Sequence, residues 1–136
     1  VRGFAEELIR FQAKALANAK RVKTRALKRV VGKEGIIGDT PVDTSRLKSN
    51  WQTTTGSPAS SSKILMDDGQ TALSELGSTL ESADLEETIY ETNNLDYGPK
   101  IEFEGGSPRK APKGMVRINL MKAPRIFKEE AAKELR

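Results

Sequence analysis

The chain has 136 residues, enough for one ordinary domain, of which 36% are apolar and only 5% aromatic, so its core must rest on Leu, Ile, Val and Ala. It contains neither cysteine nor histidine, which excludes disulfides, thiolate chemistry, Cys/His zinc sites and a histidine general base. The formal net charge is +4, 31% of residues are charged and mean hydropathy is −0.56; no apolar run approaches a membrane span, so no membrane partner is expected.

Charge is distributed in blocks. Residues 1–50 carry 12 Lys+Arg against 5 Asp+Glu, residues 51–104 carry 2 against 11, and residues 105–136 carry 9 against 3. A basic–acidic–basic order permits two arrangements. Opposite blocks can meet between copies and drive head-to-tail self-association, or both ends can fold back and neutralise the middle within one copy.

Residues 1–31 read as one long helix whose N-terminus is amphipathic and charged rather than a secretory leader. Phe4, Leu8, Phe11, Ala15, Ala19, Val22, Ala26 and Val30 fall on one stripe at helical spacing. Arg10, Lys14, Arg21, Arg25 and Lys28 fall within an arc of about 60° on another side. That arc reads either as a solvated face or as a contact surface for nucleic acid or an acidic partner. Gly32 and Gly35 are expected to stop the helix.

"IIGDTPVD" is expected to cross over in an extended form, because Pro41 disfavours helix at Thr40. Asp43 or Thr44 then serves as an N-cap, and "SRLKSNW" forms a short helix or turn that drops Leu47 and Trp51 onto the core. "WQTTT" starts a strand. "GSPASSS" (56–62) is a flexible loop by composition, and segment 55–63 is expected to be mobile in a free subunit and ordered only by neighbours. "KILM" reads as a short strand and "DDG" as a turn.

Leu73, Leu76 and Leu80 mark an amphipathic helix over 70–82, interrupted by Gly77. "ETIYETNN" (87–94) is the most distinct strand. The following twenty residues are mostly irregular with an ordered piece at "KIEFE". From Met115 the spacing of Val116, Leu120, Ala123, Phe127, Ala131 and Leu135 favours a helix bent at Pro124. The expected fold is a single α+β domain: a long amphipathic helix (1–35) packed on a small antiparallel sheet with short helices (36–112), and a C-terminal helix (113–136).

Motifs for chemistry are weak. Asp67/Asp68, Glu86/Glu87 and Glu102/Glu104 are acidic pairs, but neighbouring acids in loops are ordinarily solvated. "DDGQT" lacks the alternating ligands of a calcium loop, and no phosphate loop or nucleophile motif occurs. No enzyme and no cofactor are expected. Basic helices and "SPRKAPKG", with Arg109 and Lys110, can touch phosphates, yet no aromatic platform or helix-turn-helix pattern accompanies them.

Three stretches, taken in order, carry a resemblance: "TPVDTSRLKSNW", "IYETNNLDYGPKIEFEGGS" and "RKAPKGMVR", about 40 residues together. They resemble the small tail-completion or neck proteins of tailed double-stranded-DNA bacteriophages. Those proteins show a long N-terminal helix, then "T-P-V-D-T-G-x-L-(R/K)-x-S-W", a strand ending in "TNNLPYA", a short acidic aromatic piece, a glycine-rich turn and "AP-x-GMVR". Ser45 departs from the pattern's glycine, and Asp96 and Gly98 flank Tyr97 where "LPYA" is usual.

The resemblance implies a head–tail connector or tail-completion subunit, made in the bacterial host cytoplasm and incorporated in the virion. It implies a six- or twelve-fold ring around the DNA channel, with portal or adaptor and tail proteins as neighbours and packaged DNA as a non-specific contact. Asp43, Leu47, Trp51 and Tyr97 are then structural anchors, and Arg10, Lys14, Arg21, Arg25, Lys28, Arg109 and Lys110 are candidate contacts to subunits or DNA. The alternative is a basic DNA-binding accessory protein.

Overall fold

A computed structural model describes residues 3–41, 45–103 and 114–135. The expected long helix is α1 (Phe4–Val31), with Glu6 and Glu7 in its first turn and Lys28 and Arg29 in its last, as the helix dipole favours. It ends at Gly32, whose N–H closes onto the Lys28 carbonyl at 3.0 Å.

The next segment differs from expectation. Ile36–Asp39 form a single helical turn, α2, rather than an extended crossover. Gly38 folds back so closely that a Cβ there would lie 1.7 Å from the Lys33 carbonyl oxygen, and its N–H bonds the Gly32 carbonyl. This places Ile36 and Ile37 in the core. Thr40, ahead of Pro41, takes the extended conformation that proline imposes.

Helix α3 (Arg46–Ser49) follows, and its N-cap position is Ser45, in the left-handed region at φ 61°. Asp43 and Thr44, the expected caps, lie outside the described residues. Glycine adopts this conformation most easily, which gives a physical reason for the glycine in the resembled pattern. Here the Ser45 hydroxyl bonds the Asp68 carboxylate instead.

Strand β1 (Gln52–Thr55) pairs antiparallel with β2 (Ile89–Thr92), in a register running from Gln52–Thr92 to Thr55–Ile89. Between them, "KILM" is not a strand: residues 63–66 are irregular, and Ile64 and Met66 point outward. The loop 56–62 is irregular as expected. It is tied down at its far end, where Asn94 Nδ2 donates to the Ala59 and Ser61 carbonyls and Gln52 Nε2 donates to Ser61.

Helix α4 (Gln70–Ser82) buries Ala72, Leu76 and Leu80 and packs on β1. The "DDG" turn leads into it. There Asp67 accepts from the Thr71 N–H and hydroxyl, while Ser49 Oγ accepts from the N–H groups of Asp67 and Gly69. Of "KIEFE", residues 100–103 belong to α5 (Gly98–Phe103), and Glu104 lies outside the described residues. Helix α6 (Val116–Glu134) continues through Pro124 and is the principal partner of α1. The class is thus α+β. The sheet rests on α4, while α1 lies against α6 and α4; the core gathers Ala26, Val30, Ile37, Leu47, Trp51, Leu76, Leu80, Met115 and Ile126.

Candidate assembly surface

The three stretches that carry the resemblance are far apart in the chain but meet at one junction. In the first, Trp51 is buried and its Nε1 donates to Thr40 Oγ1 at 2.8 Å. Leu47, also buried, offers its carbonyl to Asn93 Nδ2 of the second stretch at 2.7 Å. Met115 of the third places its sulfur 3.4 Å from Thr40 Oγ1. Leu47 and Trp51 thus take the anchoring positions expected of them. Tyr97 does not: it stays 38% exposed, and Leu95 occupies the buried position two residues earlier. Asp43 lies outside the described residues.

Glu102 closes the junction. Its Oε2 accepts the N–H groups of Met115 and Val116 at 2.6 and 2.8 Å, and its Oε1 accepts the Arg117 N–H at 2.9 Å and Arg117 Nε at 3.0 Å. These are the donors that the start of α6 would otherwise leave unpaired, and a carboxylate there also meets the positive end of the helix dipole. Burial pushes the Glu102 carboxyl up, but the three backbone N–H groups and the Arg117 side chain outweigh it and hold it below the ordinary carboxylate range. Arg117 in turn lies over the Phe103 ring at 4.8 Å. Gly114 sits at φ 80°, and a Cβ on it would come within 2.7 Å of the Glu102 carboxylate. "IEF" (101–103) and "GMVR" are therefore two halves of one cap, a pairing that spacing alone does not reveal.

The basic arc of α1 divides. Arg21 and Arg25 both reach Glu134, at 3.1 and 2.8 Å, and Lys28 reaches Glu81 at 2.9 Å. Arg29, outside the arc, pairs with Glu129 and Glu130. Among the described residues the N-terminal basic block thus meets acids of the C-terminal helix more than those of the acidic middle, which differs from both ends neutralising the middle within one copy. Arg10 and Lys14 are exposed. Arg109 and Lys110 lie outside the described residues.

The apolar stripe divides at the same place. Helix α6 ends opposite Arg21, and residues 4–17 of α1 are exposed throughout, an arm about 21 Å long. On it Phe4 is 80%, Phe11 71%, Ile9 64% and Leu16 59% exposed. The sequence shows this stripe but not where its cover stops. A second open feature is a groove of about 690 Å³ along α6, lined by Arg117, Ile118, Met121, Lys122 and Arg125.

Among the described residues, no group of three or more carboxylates is arranged to hold a metal ion, and no helix is long and apolar enough to cross a membrane. Comparison with protein-family models gives no match, and comparison with curated proteins and with solved structures gives none either.

Proposed function

We propose that this chain is a structural subunit of a bacteriophage neck, a head–tail connector or tail-completion protein that assembles into a ring around the DNA channel of the virion. The observation that carries this reading is the junction. The stretches resembling that class converge on Thr40, Leu47, Trp51, Asn93, Glu102 and Met115 and build one local structure. That the stretches share one local structure supports the reading. An arm with large uncovered apolar side chains is also what an assembling subunit needs, since such a surface is satisfied only by a partner.

In this reading the chain acts through complementary surfaces and performs no reaction. Its neighbours are further copies of itself, portal or adaptor proteins and tail proteins, and the packaged DNA is at most a backbone contact through basic side chains.

Sedimentation of the purified protein with and without DNA, followed by electron microscopy of the assembled fraction, tests the proposal. Rings formed without DNA, or complexes with portal or tail proteins, are expected. A chain that stays small under all conditions and shifts only with DNA would favour the DNA-binding accessory reading.

A further inference from the structure

The exposed arm of α1 has a pattern that selects its own copy as partner. Phe4, Leu8, Phe11 and Ala15 follow one another at spacings of four, three and four, the seam of a two-helix coil. Phe4, Leu8 and Phe11 are exposed and Ala15 lies in the same exposed run, so nothing of the described chain covers this seam. We propose that two copies pair through these arms as an antiparallel, two-fold helix pair.

Direction follows from size and charge. In an antiparallel pair centred between Ile9 and Arg10, Phe4 of one copy faces Ala15 of the other, and Leu8 faces Phe11. Phe4 then meets a small residue, Ala15, and the two middle layers are each filled by Leu8 of one copy against Phe11 of the other. Glu7 and Lys14 flank the same edge of the seam, one heptad apart. Antiparallel pairing brings Glu7 of each copy beside Lys14 of the other, giving two symmetric ion pairs. Parallel pairing would set Glu7 beside the neutral Gln12 of the other copy, form no such ion pair, and stack Phe4 on Phe4. The opposite edge carries Ala5 and Gln12, which are neutral and oppose neither arrangement.

A two-fold contact closes on itself and adds no further copies, so this pairing is separate from the contacts that would build a ring. It describes how the arm is covered between two subunits. Ile9 and Leu16 lie roughly 100–140° round the helix from the seam and remain outside it.

The chain has no cysteine, so single cysteines report the geometry cleanly. In the antiparallel pair, residue 4 lies about 16 Å along the axis from its own counterpart. It lies beside residue 15, within reach of a disulfide that needs Cα atoms roughly 4–7 Å apart. An equimolar mixture of Phe4→Cys and Ala15→Cys should therefore cross-link under mild oxidation, while either variant alone should not. Phe4→Cys linking to itself would mean a parallel pair and would overturn the proposal. No cross-link in any combination would mean that the arm docks elsewhere, on the α6 groove or on another protein, and would overturn it too.

Because Phe4→Cys also removes a seam residue, charge exchange in the otherwise unchanged chain supplies a second test, read by sedimentation equilibrium at low salt. Glu7→Lys and Lys14→Glu should each raise the dimer dissociation constant roughly tenfold, and the double variant should return it to near the starting value. A double variant no better than the single ones would overturn the pairing. Dimers with the expected cross-link but no larger assembly would sustain this inference and count against the ring. Rings without the cross-link would do the reverse.

Discussion

The indole nitrogen of Trp51 donates to Thr40 Oγ1 at 2.8 Å, and that hydroxyl donates onward to the Ile36 carbonyl at 2.7 Å. The single tryptophan thus fastens the turn after α1 to the start of the sheet with both its apolar area and its one polar atom. Thr40 is 2% exposed, so water cannot replace either bond.

Truncation at this site should be costly. Trp51→Ala is expected to destabilise the fold by roughly 3–5 kcal/mol. Thr40→Val, which keeps the volume but strands the indole N–H, should cost about 1–3 kcal/mol, while Thr40→Ser should cost less. Denaturant unfolding of the three variants checks the order, and emission of the native protein should be that of a buried tryptophan.

Removing the cap on α6 should loosen that helix before the rest. Glu102→Ala leaves three backbone donors without their acceptor and is expected to cost roughly 2 kcal/mol or more. Gly114→Ala should have a similar effect, because its Cβ meets the carboxylate at a backbone angle that suits glycine. The Glu102 carboxyl is held below its ordinary value, so its contribution is complete above about pH 4.5 and is lost as pH falls through the lower, folded value. Amide exchange along residues 115–120 should therefore quicken in acid, and Glu102→Ala should remove that pH dependence.

Glu91 has the opposite sign. Burial pushes its carboxyl up to about 7; the Thr53 hydroxyl, 2.6 Å away, lowers it in part and the nearby Glu75 charge raises it. Its buried Oε1 has no hydrogen-bond partner among the described residues. The folded chain therefore holds this proton more tightly than the unfolded one. Glu91 favours the fold most below about pH 4.5, and that advantage disappears as pH rises through about 7. The swing is roughly 3 kcal/mol across that window. Glu91→Gln should flatten this part of the stability profile and leave the protein more stable than the parent at pH 8; equal slopes in the two profiles would refute the assignment.

The loop 56–62 should owe its order to two amides. Asn94→Ala and Gln52→Ala together remove the donors to Ala59 and Ser61. Limited proteolysis of the double variant is expected to cut within this loop several times faster than in the parent, with little change in global unfolding.

The clamp of Arg21 and Arg25 on Glu134 joins the inner part of α1 to the end of α6. In Arg21→Glu/Arg25→Glu it becomes a cluster of like charges, so the last turn of α6 should fray. Faster exchange at residues 131–135 is the expected reading, with the arm and the core unchanged. If assembly is also lost, the arc has a second role between subunits; if only the fraying appears, its role lies within one copy.

Much of the fold was legible in the sequence because it rests on local rules. The helical stripe of α1, the leucines of α4 at three- and four-residue spacing, the β-branched run at "QTTT" and the alternation around Ile89 each name their element without knowledge of the rest. The placement of Leu47 and Trp51 in the core followed from residue type and position. What failed locally did so for a nonlocal reason. Ile36–Asp39 curl because Gly38 can press against the Lys33 carbonyl and bring two isoleucines inward. "KILM" remains irregular: Lys63 gives its N–H to Asn50 Oδ1, and Ile64 and Met66 stay exposed. Only the tertiary structure could decide that Glu102 caps a helix beginning fourteen residues later, that three separated stretches form one junction, and that α6 stops opposite Arg21. Hydrogen bonds and cover between distant segments depend on where the chain returns, and residue spacing along one helix cannot encode where its partner ends.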